Sequence, residues 1–375
     1  MQMDAKMDAD IIIVGAGFSG AVSAYNLTKQ GIKTIVIDRS DVYPNAFRAE
    51  KIEPSQADAL RRLSMLKFRL PSALPLGETI NYRDGIISRF DTVEQYGINY
   101  SDTVNNFRKQ LQPDTEFICA RVTDLKLSAD LQTVFIEDRE LKCRLVILAT
   151  GGKDTLLKKV GISRRKHPSL ASLNLAFNLA PTNDCDFKFN GFNYFLTDTD
   201  HGIDYITIFK IGETMRANLF TQWNSKLERI KAFKKSPQDE MNRYFPDLPE
   251  HIGDFTITSK VQVFLTQFYR LHNLDKPGII VIGDDYQSVS PATGSGLDKV
   301  LTDVERLCLH HVPKWLKTNG MDSSKIGEYY RDKLKQHCDD DSLEKWISYR
   351  DNHRGFLGRQ ASKLEIRINK YLDLW

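Results

Sequence analysis

The chain has 375 residues, which is enough to bury a large core and indicates two interleaved domains rather than one. Its 52 basic and 49 acidic residues leave a net charge of +3, a balance too even for a surface that binds nucleic acid or an anionic membrane. The five cysteines are scattered without a Cys-x-x-Cys pair, which argues against disulfides and zinc and indicates a reducing, cytoplasmic compartment. No apolar run is long enough to span a bilayer.

The first predicted elements form a dinucleotide-binding unit. A β-branched run at 11–14 suits a central parallel strand, and a Gly-x-Gly-x-x-Gly turn, a helix over 21–30 and a strand over 33–37 follow it. The glycines allow pyrophosphate to approach a helix N-terminus, whose free N–H groups hold an anion. Asp38 lies where a carboxylate accepts from ribose hydroxyls. The contacts predicted from this unit are Gly15, Gly17, Phe18, Ser19, Gly20, Asp38 and Arg39.

In the middle of the chain, the sequence is predicted to leave the first domain and then to return to it. A helix follows Arg48, Pro71 and Pro75 are predicted to lead out of the first domain, and a strand pair is expected around 79–90. The chain then returns with a helix that has Ser101 as its predicted N-cap. Further strands are expected near 117–122, 133–137 and 145–149.

From about residue 167 to 267 the strands ASLNLAFNLA, DYITIFKI and MRANLFTQW alternate apolar with polar residues, which is typical of a half-buried antiparallel sheet. We interpret this sheet as a substrate domain laid over the cofactor. In the last of these strands, alternate side chains point to opposite faces. If the more polar face points into a pocket, the candidate substrate contacts are Arg216, Asn218 and Phe220; an ordinary sheet core explains the pattern equally well.

A second motif, far along the chain, selects FAD over NAD as the bound dinucleotide. A strand over 279–282 is followed by a glycine-rich loop and a helix with a 3.6-residue apolar period. Asp284 can accept from ribityl hydroxyls, Pro291 would line the reactive edge of the ring, and N–H groups near Leu297 can stabilise a reduced flavin. The cofactor residues predicted here are Gly283, Asp284, Pro291, Gly294, Gly296 and Leu297.

The C-terminal segment is charged and helical in pattern, and Asp341 with Glu344 is predicted to cap a helix over LEKWISYR. Its recurring aromatic residues suit docking on the cofactor domain, a dimer contact or the wall of a substrate tunnel. His310 and His311 end a predicted helix, where cations favour the dipole, so no metal site is predicted.

Together these motifs resemble the group A flavoprotein monooxygenases, the FAD-dependent aromatic hydroxylases typified by p-hydroxybenzoate hydroxylase. The spacing from Asp284 to Pro291, and on to Gly294 and Gly296, matches the late motif of that family. Arg48, in FRAEKIEPSQADALRRLSM, occupies the place of the arginine that the family carries to the cofactor.

The resemblance implies an α/β fold with a Rossmann-like FAD-binding domain, interleaved with an antiparallel-sheet substrate domain, plus C-terminal helices. The expected FAD domain comprises residues 1–70, 99–166 and 268–320. The substrate domain comprises 71–98 and 167–267, and the helical segment 321–375.

The resemblance also implies a monooxygenase that uses NADPH or NADH and O2 to hydroxylate a small to medium phenolic substrate through a flavin C4a-hydroperoxide, as a monomer or homodimer. The sequence leaves the substrate, the choice of nicotinamide and the catalytic side chains open. The same fold is compatible with a halogenase, an epoxidase or a dehydrogenase or reductase of a non-aromatic substrate. The tryptophans are too far apart to form the Trp-x-Trp-x-x-Pro motif of the halogenases.

The chain departs from the family pattern at four positions. Thr150 replaces the Asp of an Asp-Gly signature that contacts both FAD and the nicotinamide, so the docking of NAD(P)H is left open, as is a flavin-binding protein without turnover. Asp285 begins a DYQ run after Gly-Asp, Asp298 replaces a common Asn, and Tyr100 stands where an arginine is usual.

Overall fold

The computed structural model describes residues 7–68, 73, 75–137, 139–152, 154–182, 186–196, 201–223 and 228–352. Pro71, Cys185 and the part of the predicted C-terminal segment beyond residue 352 lie outside the described residues.

Strands and short helices alternate along the described chain. The strands are β1 (Ile11–Val14), β2 (Thr34–Asp38), β3 (Lys51–Ile52), β4 (Pro75–Arg83), β5 (Ile86–Gly97), β6 (Glu116–Cys119), β7 (Val122–Lys126), β8 (Gln132–Ile136), β9 (Arg139–Cys143), β10 (Leu145–Leu148), β11 (Ser163–Pro181), β12 (Gly191–Phe195), β13 (Ile203–Ile211), β14 (Thr214–Thr221), β15 (Phe255–Ile257), β16 (Gln262–His272) and β17 (Ile279–Val281). The helices are α1 (Phe18–Thr28), α2 (Pro54–Arg62), α3 (Tyr100–Lys109), α4 (Thr155–Lys159), α5 (Glu228–Lys235), α6 (Pro237–Tyr244), α7 (Leu248–Ile252), α8 (Gly296–Val304), α9 (Val312–Trp315), α10 (Ser323–Tyr330) and α11 (Lys333–Asn352), and a π-helical turn, Glu305–His311, joins α8 to α9.

The first sheet is parallel, in the order β17-β10-β1-β2-β6, and its strands are buried on both faces except for the edge strand β6, which is partly exposed. Alternate residues of β1 point to opposite sides. Ile11 and Ile13 pack with the helices α1, α3 and α8, whereas Ile12 and Val14 pack against β7–β9. Because both faces are covered, the strands need continuous apolar runs, which is the pattern that the sequence shows.

Helix α1 begins three residues before the predicted start. The glycine turn leads directly into it, because Gly20 already lies in the first helical turn, where a Cβ would come within 1.9 Å of the Gly15 carbonyl oxygen. The helix ends at Thr28, and Gly31, with φ of 75°, supplies the left-handed turn into β2.

The second sheet has the order β15-β11-β14-β13-β12-β4-β5-β3, with β16 also paired to β11. Its pairs are antiparallel apart from β12 with β4, which agrees with the expected antiparallel sheet. One face is apolar and packs on α5, α6 and α7, through residues such as Leu175, Leu219 and Phe233. The opposite face turns toward the first sheet and carries the polar residues of the alternation.

Three local predictions were wrong. The strand expected near 117–122 is split at Ala120, because β6 ends the parallel sheet there and β7 starts a separate antiparallel sheet, β7-β8-β9, whose last strand was not foreseen. Asn99, rather than Ser101, caps α3, accepting from the Asp102 N–H, while the Ser101 hydroxyl donates to the Pro44 carbonyl. Asp341 caps nothing, because α11 runs through it without a break.

No helix in the described part of the chain is long and apolar enough to cross a membrane.

Candidate functional site

One continuous cavity of about 830 Å³ lies between the carboxyl edge of the parallel sheet and the polar face of the second sheet. The predicted cofactor residues line it, with the exception of Gly20 and Gly283. Those two glycines instead allow close packing behind the wall: Gly20 against Gly15, and Gly283 against Ser19, whose Oγ would lie 3.1 Å from an added Cβ. Pockets for cofactors and drug-sized ligands typically measure about 300–1,000 Å³.

At one end of the cavity the carboxylate of Asp38 is fixed by its surroundings. Its oxygens accept from the backbone N–H of Ala16 (2.7 Å) and Ser40 (3.0 Å). The buried guanidinium of Arg108 lies 3.2 Å from the same carboxylate and donates to the carbonyls of Ala16 and Ser40. Arg108 therefore holds the glycine turn and the end of β2 together, which places Asp38 and Arg39 on the cavity wall.

Arg48 and Asp284 meet on the wall of the cavity. Their side chains form an ion pair of 3.4 Å, and the Arg48 guanidinium lies 4.8 Å from the centre of the Phe264 ring. Both are partly exposed to the cavity, so each charge is accessible to a ligand. A cation opposite a helix N-terminus suits a pyrophosphate, and an adjacent carboxylate suits a polyol.

The loop before α8 is shaped for a close approach. Gly294 adopts a left-handed conformation, with φ of 68°, and a Cβ added there would meet no described atom within 4 Å. Gln56 donates to the Gly294 carbonyl (2.8 Å) and to the Asp298 carboxylate (2.8 Å). Ser55 donates to the other oxygen of Asp298, so α2 holds the start of α8 in place. The carboxylate of Asp298, which replaces a common Asn, therefore accepts hydrogen bonds from Ser55 and Gln56.

Two of the departures from the family pattern meet in space. The buried carboxylate of Asp285 accepts from the backbone N–H groups of Thr150 and Gly152, the latter at 2.7 Å. Burial raises the pKa of Asp285 despite these hydrogen bonds. Arg164 donates to the carbonyls of Gly152 (2.8 Å) and Asp285 (3.1 Å). Asp285 therefore ties the ends of β10 and β17 together at the position where the family signature is missing.

Tyr100, the fourth departure, lies on the cavity wall. Its ring stacks on Phe18 with centroids 6.1 Å apart and meets Tyr43 edge to face at 5.7 Å. Burial raises the pKa of Tyr100, so the phenol stays neutral. The cation at this part of the cavity is Arg48 instead.

The second sheet supplies the opposite wall. Asn218 and Phe220 line the cavity, and the remaining wall residues from this sheet are Lys51, Asn174, Tyr205, Thr207, Phe209 and Phe264. The other face of β14 enters the apolar core through Ala217 and Leu219.

Arg216 lies beside the cavity rather than in its lining. It donates from Nε to the Glu50 carboxylate (2.9 Å) and from Nη1 to the Asn178 side chain (2.9 Å), and it also contacts Gln262. Asn218 donates to the same Glu50 oxygen at 3.1 Å. The network orients Asn218 and joins Glu50, which lies on the cofactor side, to the second sheet.

Sequence reasoning missed several of these residues. Asn174 and Thr207 carry a signal that was available, because both occupy the polar phase of the alternating strands ASLNLAFNLA and DYITIFKI. Arg108 and Glu50 carry none, since each sits in a charged stretch that resembles any solvated surface.

The sequence model of a family described as "FAD binding domain" matches residues 8–80. A digeranylgeranylglycerophospholipid reductase of Methanococcus vannielii is 24% identical over 301 residues, 77% of this chain and 73% of the relative. A squalene monooxygenase of Mus musculus is 22% identical over 82% of this chain and 55% of its own length.

Solved structures share the fold at low identity. The p-nitrophenol 4-monooxygenase of Pseudomonas putida superposes with a TM-score of 0.70 at 15% identity, covering 96% of both chains. A halogenase in complex with phloroglucinol and FAD superposes with a TM-score of 0.71 at 12% identity, covering 95% of this chain and 79% of the other.

The fold, the matched family and the glycine-lined cavity define an FAD-binding flavoprotein. The chain is an FAD-dependent oxidoreductase with the fold of the group A flavoprotein monooxygenases, as the sequence predicted. The described residues fit the cofactor: Gly17 leaves room at the helix N-terminus, where a Cβ would meet no described atom nearer than Tyr43 at 3.7 Å. Arg48, Asp38 and Asp284 present the charges that its phosphates and hydroxyls require.

Proposed function

We propose that the protein is a monooxygenase that uses NADPH or NADH and O2 to hydroxylate a small to medium phenolic substrate. The observation that carries the proposal is the cavity, which runs without a break from the glycine turn to a wall that is both aromatic and hydrogen-bonding. Bound FAD would accept electrons from the nicotinamide and activate O2. The protein must then position an electron-rich ring and keep water away.

The aromatic residues of the second sheet suit a flat substrate. Phe209, Phe220 and Phe264 line the cavity from three strands of this sheet, β13, β14 and β16, and aromatic rings pack well edge to face or offset. The hydroxyl of the half-buried Tyr205 donates to the Ala292 carbonyl (3.0 Å), which joins this wall to the loop that begins at Pro291. Burial raises the pKa of Tyr205 well above its ordinary value, so the donor stays protonated.

The hydrogen-bonding side chains favour a phenol over an isoprenoid chain. Digeranylgeranylglycerophospholipid and squalene, which the two relatives are named for, are long and mostly apolar. Here Glu50, Asn174 and Asn218 place polar atoms on the wall, and burying them against hydrocarbon would cost about 1–3 kcal/mol for each unpaired group.

The test is a steady-state assay of the FAD-loaded protein with a panel of phenols and a second panel of alkenes. We expect NADPH or NADH oxidation with stoichiometric O2 uptake, stimulated by a phenol that gains one oxygen atom by mass analysis. Oxidation of the nicotinamide with saturation of a double bond and no O2 uptake would identify a reductase. An oxygen atom added across the double bond of an alkene, with no turnover of phenols, would identify an epoxidase.

The proposal also requires that the protein bind FAD, whatever its substrate. Asp284→Ala should weaken FAD binding, since the carboxylate is proposed to hold the ribityl hydroxyls. If the purified and reconstituted protein retains no FAD, and Asp284→Ala changes nothing, the proposal is wrong.

A further inference from the structure

We propose that the outer edge of β5 is the interface of a homodimer, in which β5 pairs antiparallel with β5 of a second copy of this chain about a two-fold axis at Phe90. The interface is separate from the cofactor cavity, because no described residue of β5 lines that cavity. The inference therefore does not depend on the reaction that the protein catalyses.

β5 leaves one edge of the second sheet open. It pairs with β4 along its length and with β3 only at Tyr96 and Gly97. Within the described chain, no strand covers the outer edge over 86–93. Alternate residues of an antiparallel strand direct their N–H and C=O groups to such an edge, so it is a template for another strand.

The same hairpin carries exposed apolar side chains. Ile86, Ile87 and Phe90 are 68%, 52% and 52% exposed, and they are three of the seven large apolar residues that the described chain leaves exposed. A two-residue turn at Asp84 and Gly85, with φ of 56° and 76°, presents them near the tip of the β4–β5 hairpin. Exposed apolar residues that are grouped in this way mark a surface that binds another protein.

The charges of the hairpin are unbalanced within one copy of the chain. Glu78 of β4 lies directly opposite Asp91 of β5, and like charges in that arrangement destabilise a sheet. The guanidinium of Arg89 forms its ion pair with Glu78. Asp91 therefore faces a like charge, and it has no cation partner among the described residues.

A second copy of β5 supplies the missing cation in one register. A two-fold axis perpendicular to the sheet pairs residues that point to the same face, so the axis passes through a residue. With the axis at Phe90, Arg89 of each copy lies opposite Asp91 of the other, which gives two unlike pairs. With the axis at Arg89 or at Asp91, like charges would meet, and no other register within β5 places unlike charges opposite each other.

The backbone and the side chains have different parts in this interface. Main-chain hydrogen bonds over 87–93 and the burial of Ile87 and Phe90 stabilise the dimer. Exposed ion pairs contribute only up to about 1 kcal/mol each, so the pairs of Arg89 with Asp91 serve mainly to set the register. The second sheet then continues from one copy into the other.

The experiment measures the mass of the FAD-loaded protein by light scattering over a range of protein concentrations. We expect twice the 43.0 kDa of the chain. Arg89→Asp and Asp91→Arg should each place like charges opposite each other and weaken dimerisation about tenfold or more. The variant that carries both substitutions restores the unlike pairs and should recover the wild-type dimer.

Arg139→Asp is the matched control. The side chain of Arg139 is 51% exposed on the edge strand β9 and pairs with Glu116, much as the side chain of Arg89 is 59% exposed and pairs with Glu78. This substitution should leave the mass of the protein unchanged. Bound FAD per chain confirms that each variant folds.

A cysteine cross-link tests the position of the axis. Phe90→Cys places two identical residues directly opposite each other, with Cβ atoms about 4.5–5.5 Å apart, and oxidation with diamide should give a covalent dimer. Two copies of Ser88 would lie four positions apart along the ladder, about 13 Å, so Ser88→Cys should not cross-link. The wild-type protein, in which Cys119 is exposed, should not cross-link either.

A mass of 43.0 kDa at every concentration would overturn the inference. A dimer that neither single variant weakens would also overturn it, because that dimer would use another surface. The inference is equally wrong if the variant with both substitutions stays monomeric, or if Phe90→Cys gives a dimer without a cross-link.

Discussion

At the scale of single residues, the glycines of the first turn serve two purposes. Some leave space for a ligand, and others allow two backbone segments to pack closely. Gly17 has φ of −68°, which any residue adopts, and it faces the cavity. Gly20 is outside the cavity lining and is pressed against the Gly15 carbonyl. Within one motif, glycine is therefore needed at Gly17 for access to the cavity and at Gly20 for close backbone packing.

This difference gives a paired prediction. Gly20→Ala should reduce stability by about 2 kcal/mol or more, because its Cβ would lie 1.9 Å from a backbone oxygen. Gly17→Ala should leave the thermal midpoint of the FAD-free protein unchanged but weaken FAD binding. Thermal unfolding and FAD titration measure the two effects. Equal loss of stability in both variants would contradict this division.

A second residue-scale prediction concerns Arg48. Arg48→Met should weaken FAD binding roughly 10–100-fold, since hydrogen bonds to charged groups contribute about 1.5–3 kcal/mol. The loss should shrink as salt rises, because salt screens the phosphate interaction. Arg62→Met is the control, as Arg62 forms an exposed pair with Glu305. An FAD affinity that Arg48→Met does not change would remove Arg48 from the phosphate site.

At the scale of elements, α11 is held to the cofactor domain by buried charges. Lys335 is 1% exposed and lies 2.9 Å from Asp303 and 2.8 Å from Asp339. Asp303 in turn accepts from the Gly283 N–H at 2.9 Å. The network therefore connects the C-terminal helix to the strand end that carries Asp284.

Asp332 joins three helical segments and makes stability depend on pH. It accepts from the Leu334 N–H at the start of α11, and from Arg306 and His311 at 2.9 Å each. Burial alone would raise its pKa, but the hydrogen bonds from Arg306 and His311 outweigh burial and lower the pKa to about 2.

The sign of the effect follows from the lowered pKa. The charged form is favoured in the folded state, so its contribution is complete above the ordinary pKa of 3.8 and is lost as pH falls toward 2. We expect Asp332→Asn to reduce stability by about 2 kcal/mol at neutral pH and to flatten this acid dependence. Urea unfolding at several pH values measures it. An unchanged pH profile in the variant would show that another group controls acid unfolding.

At the scale of the whole molecule, the cofactor cavity is assembled from both sheets. The Arg216–Glu50 pair and the bond from Tyr205 to Ala292 cross between the second sheet and the segments around the cofactor. A ligand that fills this cavity contacts both sides, so binding and folding are linked.

FAD should therefore stabilise the entire fold. With free FAD at 100 times its Kd, the expected gain is about 2.7 kcal/mol, seen as a higher thermal midpoint in a single transition. Gly17→Ala should abolish the shift at the same FAD concentration. Two separated transitions, of which FAD moves only one, would show that the sheets unfold independently.

Much of the fold was predictable because its signals are local. A few residues suffice to predict each of these elements: the β-branched runs at Ile11 and Ile279, the glycine turn and the alternation of MRANLFTQW. Predictions failed where neighbouring residues suit the same role and the sequence does not show which one takes it. Asn99 and Ser101 both suit an N-cap; Asn99 caps α3, and the Ser101 hydroxyl instead donates to the Pro44 carbonyl.

The candidate site divides in the same way. By itself the sequence determined the FAD-binding motifs, because the positive φ angles at Gly15 and Gly294 demand glycine wherever the chain lies. Only the tertiary structure decided which side chains line the cavity, because Glu50, Asn174 and Thr207 reach it from segments far apart in sequence. Whether a buried polar atom is paired depends on such long-range neighbours, and no local pattern records it.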